Sequence, residues 1–529
     1  MIRGRLAVAA LVFACFATFA LWRSPVPGVN EPQYLCKAKH FYAPDWCAND
    51  MFLNSANAHW VFYALAGAVT RVASLDETAW TGRILLWAGL AYAWVRLVHL
   101  LLPGRFAPLW AACLFVALQA LGNLSGEWLI GGVEAKGFAY LALLLAIVAA
   151  CENALRRAGV AVGIAISLHP VVGMWGALGL AASFIGRGIT ARRARLSSTE
   201  KRPAFGRQWI PGELSPSMDS SSWTSLAIPC VLALVISLPG LIPAITVVAS
   251  APSKSVAQRA DRIQVFERLA HHLDPAQFSR TGYRMYAGLL AAWLTMTVFD
   301  RRSDSQRFFS RFVLATLVMA LAGFVVGFWL RKPELMKFYP FRLFDVFLPI
   351  AVSVTVVGLL ARAGQAQLRG SKRLQRAIGR VLVPGVALAA LVVAFVAPGR
   401  DPNPGKMYPQ NWLAFIDACG WIERSTPRNA LFLTPRSKSV GFKWYANRAE
   451  YVTWKDCPQD AAGIVAWKER LARIDDWRES HSENGYTRAE FAALAEQTGI
   501  GYVLTWNTEP WHLEPVFRNR AFSIYRLAK

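Results

Sequence analysis

Eleven apolar segments recur along the chain, and they limit its fold more than any other feature of the sequence. They lie near residues 6–22, 79–102, 107–122, 137–152, 158–169, 171–186, 224–248, 283–299, 311–330, 344–361 and 380–397. A helix needs about 20 residues, at about 1.5 Å each, to cross roughly 30 Å of hydrocarbon, and slightly fewer in a thin bilayer. The sequence therefore predicts a mainly α fold, a polytopic transmembrane helix bundle of about eleven spans.

The composition agrees with this class of protein and excludes two others. Apolar residues make up 55% of the 529 residues and charged residues only 17%, whereas soluble chains carry about 25% charged residues. The 21 tryptophans, the 30 phenylalanines and the long apolar runs can bury far more surface than a disordered chain offers. Water-soluble enzymes and intrinsically disordered proteins are therefore excluded.

The formal net charge of +24, from 57 Lys and Arg against 33 Asp and Glu, raises the question of nucleic-acid binding. The basic residues fall in short clusters between apolar segments, at 156–157, 187–207, 301–311 and 362–380. Cytoplasmic loops of membrane proteins retain Lys and Arg, so this pattern indicates topology rather than a nucleic-acid-binding face. We expect a multi-pass protein of the inner (cytoplasmic) membrane, with these clusters inside and the C-terminus outside.

The two segments divided at His169 and Pro170 are open to two interpretations. Proline interrupts helical hydrogen bonding, so residues 158–186 form either one kinked span or a tight hairpin of two. A single span would move all later basic clusters to the outside. The charge pattern therefore favours the hairpin.

We expect the bundle to occupy residues 1–397, with a long first outer loop at 23–78. A linker rich in Pro and Gly follows at 398–406, and residues 407–529 carry both helical periodicity and short β-rich runs. Helices are predicted at 412–424, 464–477 and 488–497, and strands at 430–434, 450–453, 501–505 and 522–526. The tail is thus predicted to be a small extracytoplasmic α/β domain.

Four of the eight cysteines lie in or beside apolar segments, and four lie outside them: Cys36, Cys47, Cys419 and Cys457. In an oxidising compartment these pairs suggest two disulfides, Cys36–Cys47 and Cys419–Cys457. Four unrelated thiols are the alternative, because spacing does not show whether the α-carbons approach within the roughly 6 Å that a bridge requires. Neither pair has the CxxC spacing of a zinc site.

Carboxylates and histidines concentrate in the predicted outer loops, whereas the interiors of the spans are nearly free of carboxylates. Transporters instead keep functional ionisable groups near the bilayer midplane, on broken helices. The outer-loop groups are Glu31, Asp45, Asp50, Glu127, Glu134, Asp274, Glu334, Asp345, His40, His59, His271, His272 and Arg342. Such a ring suits a reaction between a lipid-anchored molecule and an acceptor outside the membrane.

The first outer loop carries the most specific pattern. Asn30-Glu31-Pro32-Gln33-Tyr34 is followed by Asp45-Trp46, by His59 and by an apolar stretch at 60–72. This layout resembles the first periplasmic loop of the GT-C superfamily of membrane glycosyltransferases, which often has an acidic pair, an aromatic residue three positions on and a later Asp-aromatic element. Asn30 stands where those enzymes often carry the first acid.

The resemblance implies a reaction, partners and site residues. It implies sugar transfer from a polyprenyl-phosphate donor, with the lipid-linked sugar donor and membrane lipids as partners. Glu31 and Asp50 are the candidate catalytic carboxylates, and Tyr34 is a candidate substrate contact. Such a carboxylate orients or deprotonates the acceptor, or holds a divalent cation (Mg or Mn) against the leaving phosphate. The alternative is an ordinary solvated loop acid, and Glu31, directly before Pro32, is expected in an extended turn.

Three later loops supply further candidate substrate-binding residues. Glu134 is expected to replace the second acidic motif of the resemblance, with helix-end capping or solvation as the alternative. His271 and His272 are expected to contact a lipid phosphate or a metal, or only to face headgroups. Arg342, among aromatic residues at the mouth of a span, is suited to grip a phosphate bidentately, to snorkel to headgroups or to pair with Asp345.

These residues together predict a membrane glycosyltransferase that moves a sugar from a polyprenyl-phosphate donor to an extracytoplasmic acceptor. The rival is a non-enzymatic envelope protein or a lipid-linked saccharide transporter built on the same scaffold. The sequence has no Walker, HExxH or GxSxG motif, so ATP-driven transport, zinc proteolysis and serine hydrolysis lose their main support.

Overall fold

A computed structural model describes residues 2–200, 221–298, 303–363, 372–397, 399–479, 486–508 and 513–527. Parts of the predicted basic loops (201–220, 299–302 and 364–371) and residue 398 of the predicted linker lie outside these ranges. The described residues contain twenty α-helices, which are α1 (Ile2–Arg23), α2 (Glu31–Tyr42), α3 (Trp60–Thr70), α4 (Leu75–Leu101), α5 (Ala107–Leu121), α6 (Ala135–Cys151), α7 (Leu155–Leu168), α8 (Pro170–Glu200), α9 (Ser221–Ala249), α10 (Lys254–Arg262), α11 (Ala270–Leu273), α12 (Arg280–Val298), α13 (Asp304–Val325), α14 (Pro333–Met336), α15 (Arg342–Ala363), α16 (Lys372–Val396), α17 (Pro409–Ser425), α18 (Phe442–Ala446), α19 (Ala461–Glu479) and α20 (Arg488–Thr498).

Each of the eleven predicted apolar segments coincides with a helix, which confirms the mainly α, polytopic fold. Within the described ranges, six helical stretches are long and apolar enough to cross a membrane: Gly4–Arg23, Leu75–Leu101, Pro170–Thr190, Leu226–Ala249, Asp304–Leu330 and Arg342–Arg362. Shorter apolar helices lie at Trp60–Thr70, Ala107–Leu121, Ala135–Cys151 and Val381–Val396. The chain is a multi-pass membrane protein.

The predicted hairpin at His169 is confirmed. His169 is the single residue between α7 and α8, and its backbone is extended, with φ −150° and ψ 94°. Arg187, more than four turns into α8, donates from Nη1 to Oδ1 of Asn153 at 2.8 Å, just before α7 begins. The N-terminal end of α7 thus lies beside a late turn of α8, so the two helices run in opposite directions.

The C-terminal region contains a five-stranded sheet with the order β2-β1-β3-β5-β4. The strands are β1 (Leu431–Leu433), β2 (Ala449–Glu450), β3 (Tyr502–Trp506), β4 (Phe517–Arg518) and β5 (Phe522–Arg526). β1 runs parallel to β2 and β3, whereas β5 runs antiparallel to β3 and β4. The predicted helices and strands of this α/β region are all present, and α18 and β4 are additions that the sequence pattern did not indicate.

Successive side chains of each strand point to opposite faces of the sheet, and both faces are apolar. Phe432 and Leu504 pack with α17 on one face, while Leu433 and Val503 pack with α19 and α20 on the other. Leu35, Phe52 and Phe62 of the first loop belong to this second core. The first loop therefore lies between the bundle and the C-terminal region. We call this end of the bundle the domain face and the other end the opposite face.

A buried lysine ties the first loop to the C-terminal region by charge. Lys443 Nζ in α18 lies 3.0 Å from Asp50 Oδ2, 2.7 Å from Glu450 Oε2 and 2.5 Å from Asp456 Oδ2. Asp50 also accepts hydrogen bonds from the backbone N–H groups of Glu450 (3.1 Å) and Leu53 (3.0 Å). Although burial opposes it, these carboxylates hold the pKa of Lys443 well above its ordinary value. Asp50, a candidate catalytic residue, thus connects the first loop to the C-terminal region through this ion pair and these hydrogen bonds, and we call this set of contacts the anchor.

All eight cysteines are free thiols in the described structure. Cys36, Cys47 and Cys457 lie in the core that the first loop shares with the C-terminal region. Cys419 lies in the core on the other face of the sheet, away from Cys457. The structure therefore agrees with four separate thiols and shows neither of the two suggested disulfides.

We expect Lys443→Met to destabilise the protein strongly, because three buried carboxylates would lose their cation. Removing one partner of a buried ion pair typically costs about 3–5 kcal/mol. Thermal unfolding of the purified protein in detergent measures the effect. Lys438→Met, which removes an exposed lysine from the same region, is the matched control, and equal small shifts in both variants would contradict the anchoring role.

Candidate functional site

Glu31 begins helix α2, with Pro32 in the first helical turn. The expected extended turn is therefore wrong, because proline is tolerated at a position whose N–H has no helical acceptor. The carboxylate is 1% exposed, so the solvated alternative is wrong too. Oε1 accepts from Arg83 Nε at 2.7 Å and from the Val133 N–H at 2.8 Å, and Oε2 accepts from Arg83 Nη2 at 2.7 Å and from the Gly28 N–H at 2.5 Å.

Beside Glu31, polar side chains from six parts of the chain meet at the domain face. They come from the first loop, the second loop (residues 122–134), the starts of α6 and α15, the α7–α8 break and the C-terminal region. We call this set the junction cluster, and its members are Asn30, Glu127, Glu134, Lys136, His169, Arg342 and Lys455.

Asn30 and Glu134 connect the first and second loops. Asn30 Nδ2 donates to Glu134 Oε1 at 2.9 Å, and Lys455 Nζ donates to Asn30 Oδ1. Glu134 stands at the N-cap position of α6 but makes no capping hydrogen bond, and its Oε2 lies 3.4 Å from Lys136 Nζ. Capping is thus excluded as its role. An aspartate at position 30 would set a second negative charge against Glu134, whereas the amide of Asn30 donates to it.

Arg342 is buried at the start of α15 and pairs with Glu127 rather than with Asp345. Its Nε lies 3.0 Å from Glu127 Oε2, and its Nη1 lies 3.2 Å from His169 Nε2. The guanidinium carbon lies 3.8 Å from the centroid of the Tyr339 ring. Since the side chain is only 11% exposed, Arg342 faces the junction cluster and does not snorkel to headgroups.

Asp345 fixes the backbone of the second loop. Its Oδ1 accepts from the Leu124 N–H at 2.6 Å, and its Oδ2 accepts from the N–H groups of Ser125 (2.8 Å) and Glu127 (3.0 Å). Because the segment from Glu127 to Glu134 is a loop, the two acids are not aligned by helical periodicity. They are aligned by contacts with residues that lie far away in the sequence.

Tyr34 and His59 of the first loop flank the junction cluster. The ring of His59 lies 4.6 Å from that of His169 and 5.9 Å from that of Tyr34, measured between centroids. Burial and the charge of Glu134 raise the pKa of Tyr34 well above its ordinary value. Burial and the charge of Arg342 lower the pKa of His59 to about 3. Both side chains are therefore neutral at pH 7.

The junction cluster carries an excess of positive charge. Lys136, Arg342 and Lys455 are its cations, and Glu127 and Glu134 are its carboxylates, which leaves one net positive charge with His169 neutral. Burial and the nearby charge of Arg268 lower the pKa of Lys455 to about 8. The cluster therefore favours an anion most strongly below that pH.

Several polar atoms at the junction cluster are buried without a hydrogen-bond partner. Among the described residues these include Nδ1 of His59 and Nε of Arg268, whose Nη2 donates to the carbonyl of Lys455 at 2.9 Å. Nε of Arg342 and Oε1 of Glu127 also make no hydrogen bond of good geometry, although each lies within ion-pair distance of its partner, at 3.0 Å from Glu127 Oε2 and at 3.5 Å from Lys136 Nζ. Buried polar groups almost always have partners, and leaving one without costs about 1–3 kcal/mol. The two arginine nitrogens among these atoms are donors, and charged donors of this kind suit a polar anion.

A cavity of about 200 Å³ adjoins the junction cluster, between α1, the first loop and the second loop. Asn30 and Glu134 line it and also belong to the cluster. Glu31, Arg23 and Trp128 line it as well. Glu134 is therefore the carboxylate that belongs both to the cavity and to the cationic site.

The two adjacent histidines lie beside the second loop, where His272 packs against Ser125 and Gly126. His272 Nδ1 donates to the carbonyl oxygen of Ser125 at 2.6 Å, and the rings of His271 and His272 lie 4.0 Å apart between centroids. Gly126 has φ +78°, and a Cβ there would lie 2.3 Å from the His272 ring. Burial lowers the pKa of His272 well below its ordinary value. His272 thus braces the loop that carries Glu127.

The structure brings some predicted site residues together and separates others. Tyr34, Glu134 and Arg342 meet at the junction cluster, and Glu31 adjoins it through Asn30. The two histidines reach its edge through Ser125. Asp50 lies in the separate anchor around Lys443.

Sequence reasoning did not select Arg83, Lys136, His169 or Lys455. The partners of Arg83, His169 and Lys455 lie far along the chain, from 52 positions for Arg83 and Glu31 to 425 for Lys455 and Asn30, so local spacing gives no indication of them. Lys136 pairs with the nearby Glu127 and Glu134. One signal was available for Arg83, because a charged residue within a predicted span usually marks a partnered or functional position.

The predicted divalent cation remains a prediction. Among the residues that the structure describes, no three His, Cys, Asp or Glu side chains gather to hold a metal ion. The two carboxylates of the junction cluster lie against Lys136 instead. The residues present therefore do not fit a metal site.

Comparisons with known proteins give limited matches. A family model described as a domain of unknown function (DUF6798) matches residues 414–474. No curated protein matches the chain. The chain is similar to the crystal structure of ArnT from Cupriavidus metallidurans bound to undecaprenyl phosphate, with 12% identity over 98% of this chain and 97% of that chain and a TM-score of 0.48. It is also similar to the cryo-EM structure of arabinosyltransferase EmbB from Mycobacterium smegmatis, with 14% identity over 97% of this chain and 45% of that chain and a TM-score of 0.38.

We expect Glu31→Gln to lower the thermal stability of the protein as well as its activity. The substitution leaves Arg83, which is 0% exposed, without its counter-charge, and breaking a buried pair costs about 3–5 kcal/mol. Unfolding of the purified protein in detergent measures this loss. Asp45→Asn, at an exposed acid of the same loop, should leave the transition unchanged. Full stability in the Glu31 variant would show that the carboxylate is not a structural partner of Arg83.

Proposed function

We propose that this chain is a membrane glycosyltransferase that moves a sugar from a polyprenyl-phosphate donor to an acceptor at the domain face. The junction cluster carries the proposal, because it is buried and its cationic donors outnumber its carboxylates. Phosphate oxygens match these donors in charge, and a guanidinium binds them in a fixed geometry. The resemblance of the first loop to GT-C enzymes supports the same reaction class.

Two cations have the right placement to bind the donor phosphate. Arg342 is held by Glu127 and Tyr339, so its guanidinium is oriented before the donor arrives. Lys455 enters the same cluster from the C-terminal region, where it donates to Asn30. Negative charge grows on the phosphate as the glycosidic bond breaks, and donors fixed in advance stabilise that charge without reorganising.

Glu134 is the carboxylate that we assign to the acceptor. In a direct displacement, the acceptor hydroxyl oxygen attacks the anomeric carbon of the sugar. The bond from that carbon to the phosphate oxygen breaks, and its electron pair leaves with the polyprenyl phosphate. The hydroxyl proton passes to Glu134, which lines the cavity beside the cations. Glu31 accepts a hydrogen bond from the backbone N–H of Val133, the residue before Glu134, and is therefore a positioning residue.

We also propose that the protein lies in the inner membrane with its domain face, and hence its C-terminal region, outside the cytoplasm. Arg187 and the pair Arg156 and Arg157 lie at the opposite face, beside the start of α7 and the end of the α8 span. Retention of Arg on the cytoplasmic side supports this orientation.

We expect Glu134→Gln to reduce kcat by about 10²–10⁴-fold, the usual contribution of a general base. The KM for the donor should change little, because the cations remain. The assay reconstitutes the protein with a radiolabelled polyprenyl-phosphate sugar and measures label released from the lipid. Glu134→Asp keeps a carboxylate and should recover part of the rate, and Glu334→Gln, at an exposed acid of α14, should behave like the unmodified protein.

The same assay decides between the enzyme and its rival. The amide at Asn30, where related enzymes often carry an acid, is the observation that favours a lipid-linked saccharide transporter. A transporter would relocate the labelled lipid across the bilayer without releasing sugar. Relocation without release in the unmodified protein would overturn the proposed reaction, and unchanged kcat in Glu134→Gln would remove that carboxylate from it.

We expect donor binding to weaken as the pH rises through about 8. Burial and Arg268 set the pKa of Lys455 near that value, and a bound phosphate favours the charged lysine. Losing one charge-assisted contact of about 1.5 kcal/mol raises the KM for the donor roughly tenfold between pH 7 and 9.5. Lys455→Arg stays charged over this range, so its KM should be flat. An equal rise in both proteins would assign the pH dependence to another group.

A further inference from the structure

Three adjoining cavities form one groove at the opposite face of the bundle. They occupy about 390, 500 and 460 Å³. The first and second share Arg5 and His99, and the first and third share Tyr92, Arg96 and Glu152. The groove therefore runs from the start of α1 along the end of α4 to the connection between α6 and α7.

The groove is strongly cationic. Five arginines line it, and these are Arg5, Arg96, Arg105, Arg156 and Arg157. Its single carboxylate, Glu152, pairs with Arg96. Within the described residues, no carboxylate lies against the other four arginines, so the groove keeps four net positive charges with His99 neutral. Arg5, Arg105, Arg156 and Arg157 are exposed and available to a ligand.

Between the arginines, the walls of the groove are apolar. Leu6 and Leu100 line its first part, and Leu145, Val160 and Ile164 line the part beside α7. Leu6 is 64% exposed and Ile164 is 40% exposed. Tyr92, 52% exposed, is placed as aromatic residues are at a membrane interface. Charge at the mouth and hydrocarbon along the walls match a molecule with an anionic head and acyl chains.

We propose that this groove binds the headgroup of an anionic phospholipid, with the acyl chains along its apolar walls. The headgroup would lie in the first cavity beside Arg5, with Arg105 and Arg156 flanking it at the two ends of the groove, and the chains would follow α4 and α7. Arginines that only snorkel to the leaflet attract anionic lipid wherever they lie. A specific lipid site differs from this general attraction, because lipid binding then depends on the arginines of the groove and not on an equal number of arginines elsewhere on the same face.

The test uses the purified, delipidated full-length protein, and native mass spectrometry counts bound lipid as phosphatidylglycerol is titrated. The double variant Arg105→Gln/Arg156→Gln removes two exposed groove charges. Arg307→Gln/Arg311→Gln removes two charges at the opposite face outside the groove, where Arg307 pairs with Asp304 and Arg311 with Thr190. At about fivefold per arginine, the groove variant should bind phosphatidylglycerol roughly 25-fold more weakly, and the control variant should bind as the unmodified protein does.

Three results would overturn the proposal. Equal losses in the two double variants would show surface charge alone, and phosphatidylcholine binding as tightly as phosphatidylglycerol would show that charge is not recognised. Displacement of the lipid by millimolar inorganic phosphate would assign the groove to a soluble anion. Thermal unfolding checks that both variants are folded, and the lipid count is independent of any transferase activity.

Discussion

The ion pair between Arg83 and Glu31 is the interaction on which the domain face depends. Both side chains are removed from water, which is costly unless every polar atom is satisfied. Arg83 meets that condition by donating also to the carbonyl oxygens of Ser24 (2.7 Å) and Pro25 (3.2 Å), and Glu31 meets it by accepting from two backbone N–H groups. The pair therefore holds the first loop and the second loop against the spanning helix α4.

Two charged centres frame the junction cluster. The Arg83–Glu31 pair fixes Asn30, a member of the cluster, and Val133, the residue before Glu134. Lys443 fixes the first loop to the C-terminal region, which delivers Lys455. The cluster belongs to neither part alone, because its carboxylates come from the bundle loops and one of its cations comes from the tail. A binding site of this kind is complete only when both parts are packed together.

Features set by local pattern could be predicted from the sequence, and features set by distant partners could not. The spans follow from hydrophobic length, and the α7–α8 hairpin follows from the placement of Arg residues around it. Arg342 was recognisable because charge beside aromatic residues at the mouth of a span is unusual, and Glu134 was recognisable as a substitute for the second acidic motif of the GT-C resemblance. Glu31 was recognisable as important but not as a partner of Arg83, because no local rule connects a loop acid with a helix residue 52 positions later. Lys455 is beyond prediction for the same reason.

The contact between Asp50 and the C-terminal region bears on how the protein is made. The Asp50 carboxylate and its backbone partner at Glu450 are 400 positions apart. At about 5–20 residues per second, the ribosome needs roughly 20–80 s to synthesise the intervening chain. During that interval Asp50 of the first loop has no counter-charge, because Lys443 has not yet been synthesised. The first loop therefore gains its counter-charge only when the last quarter of the polypeptide has been made, and a chain that ends before Lys443 leaves Asp50 unpaired.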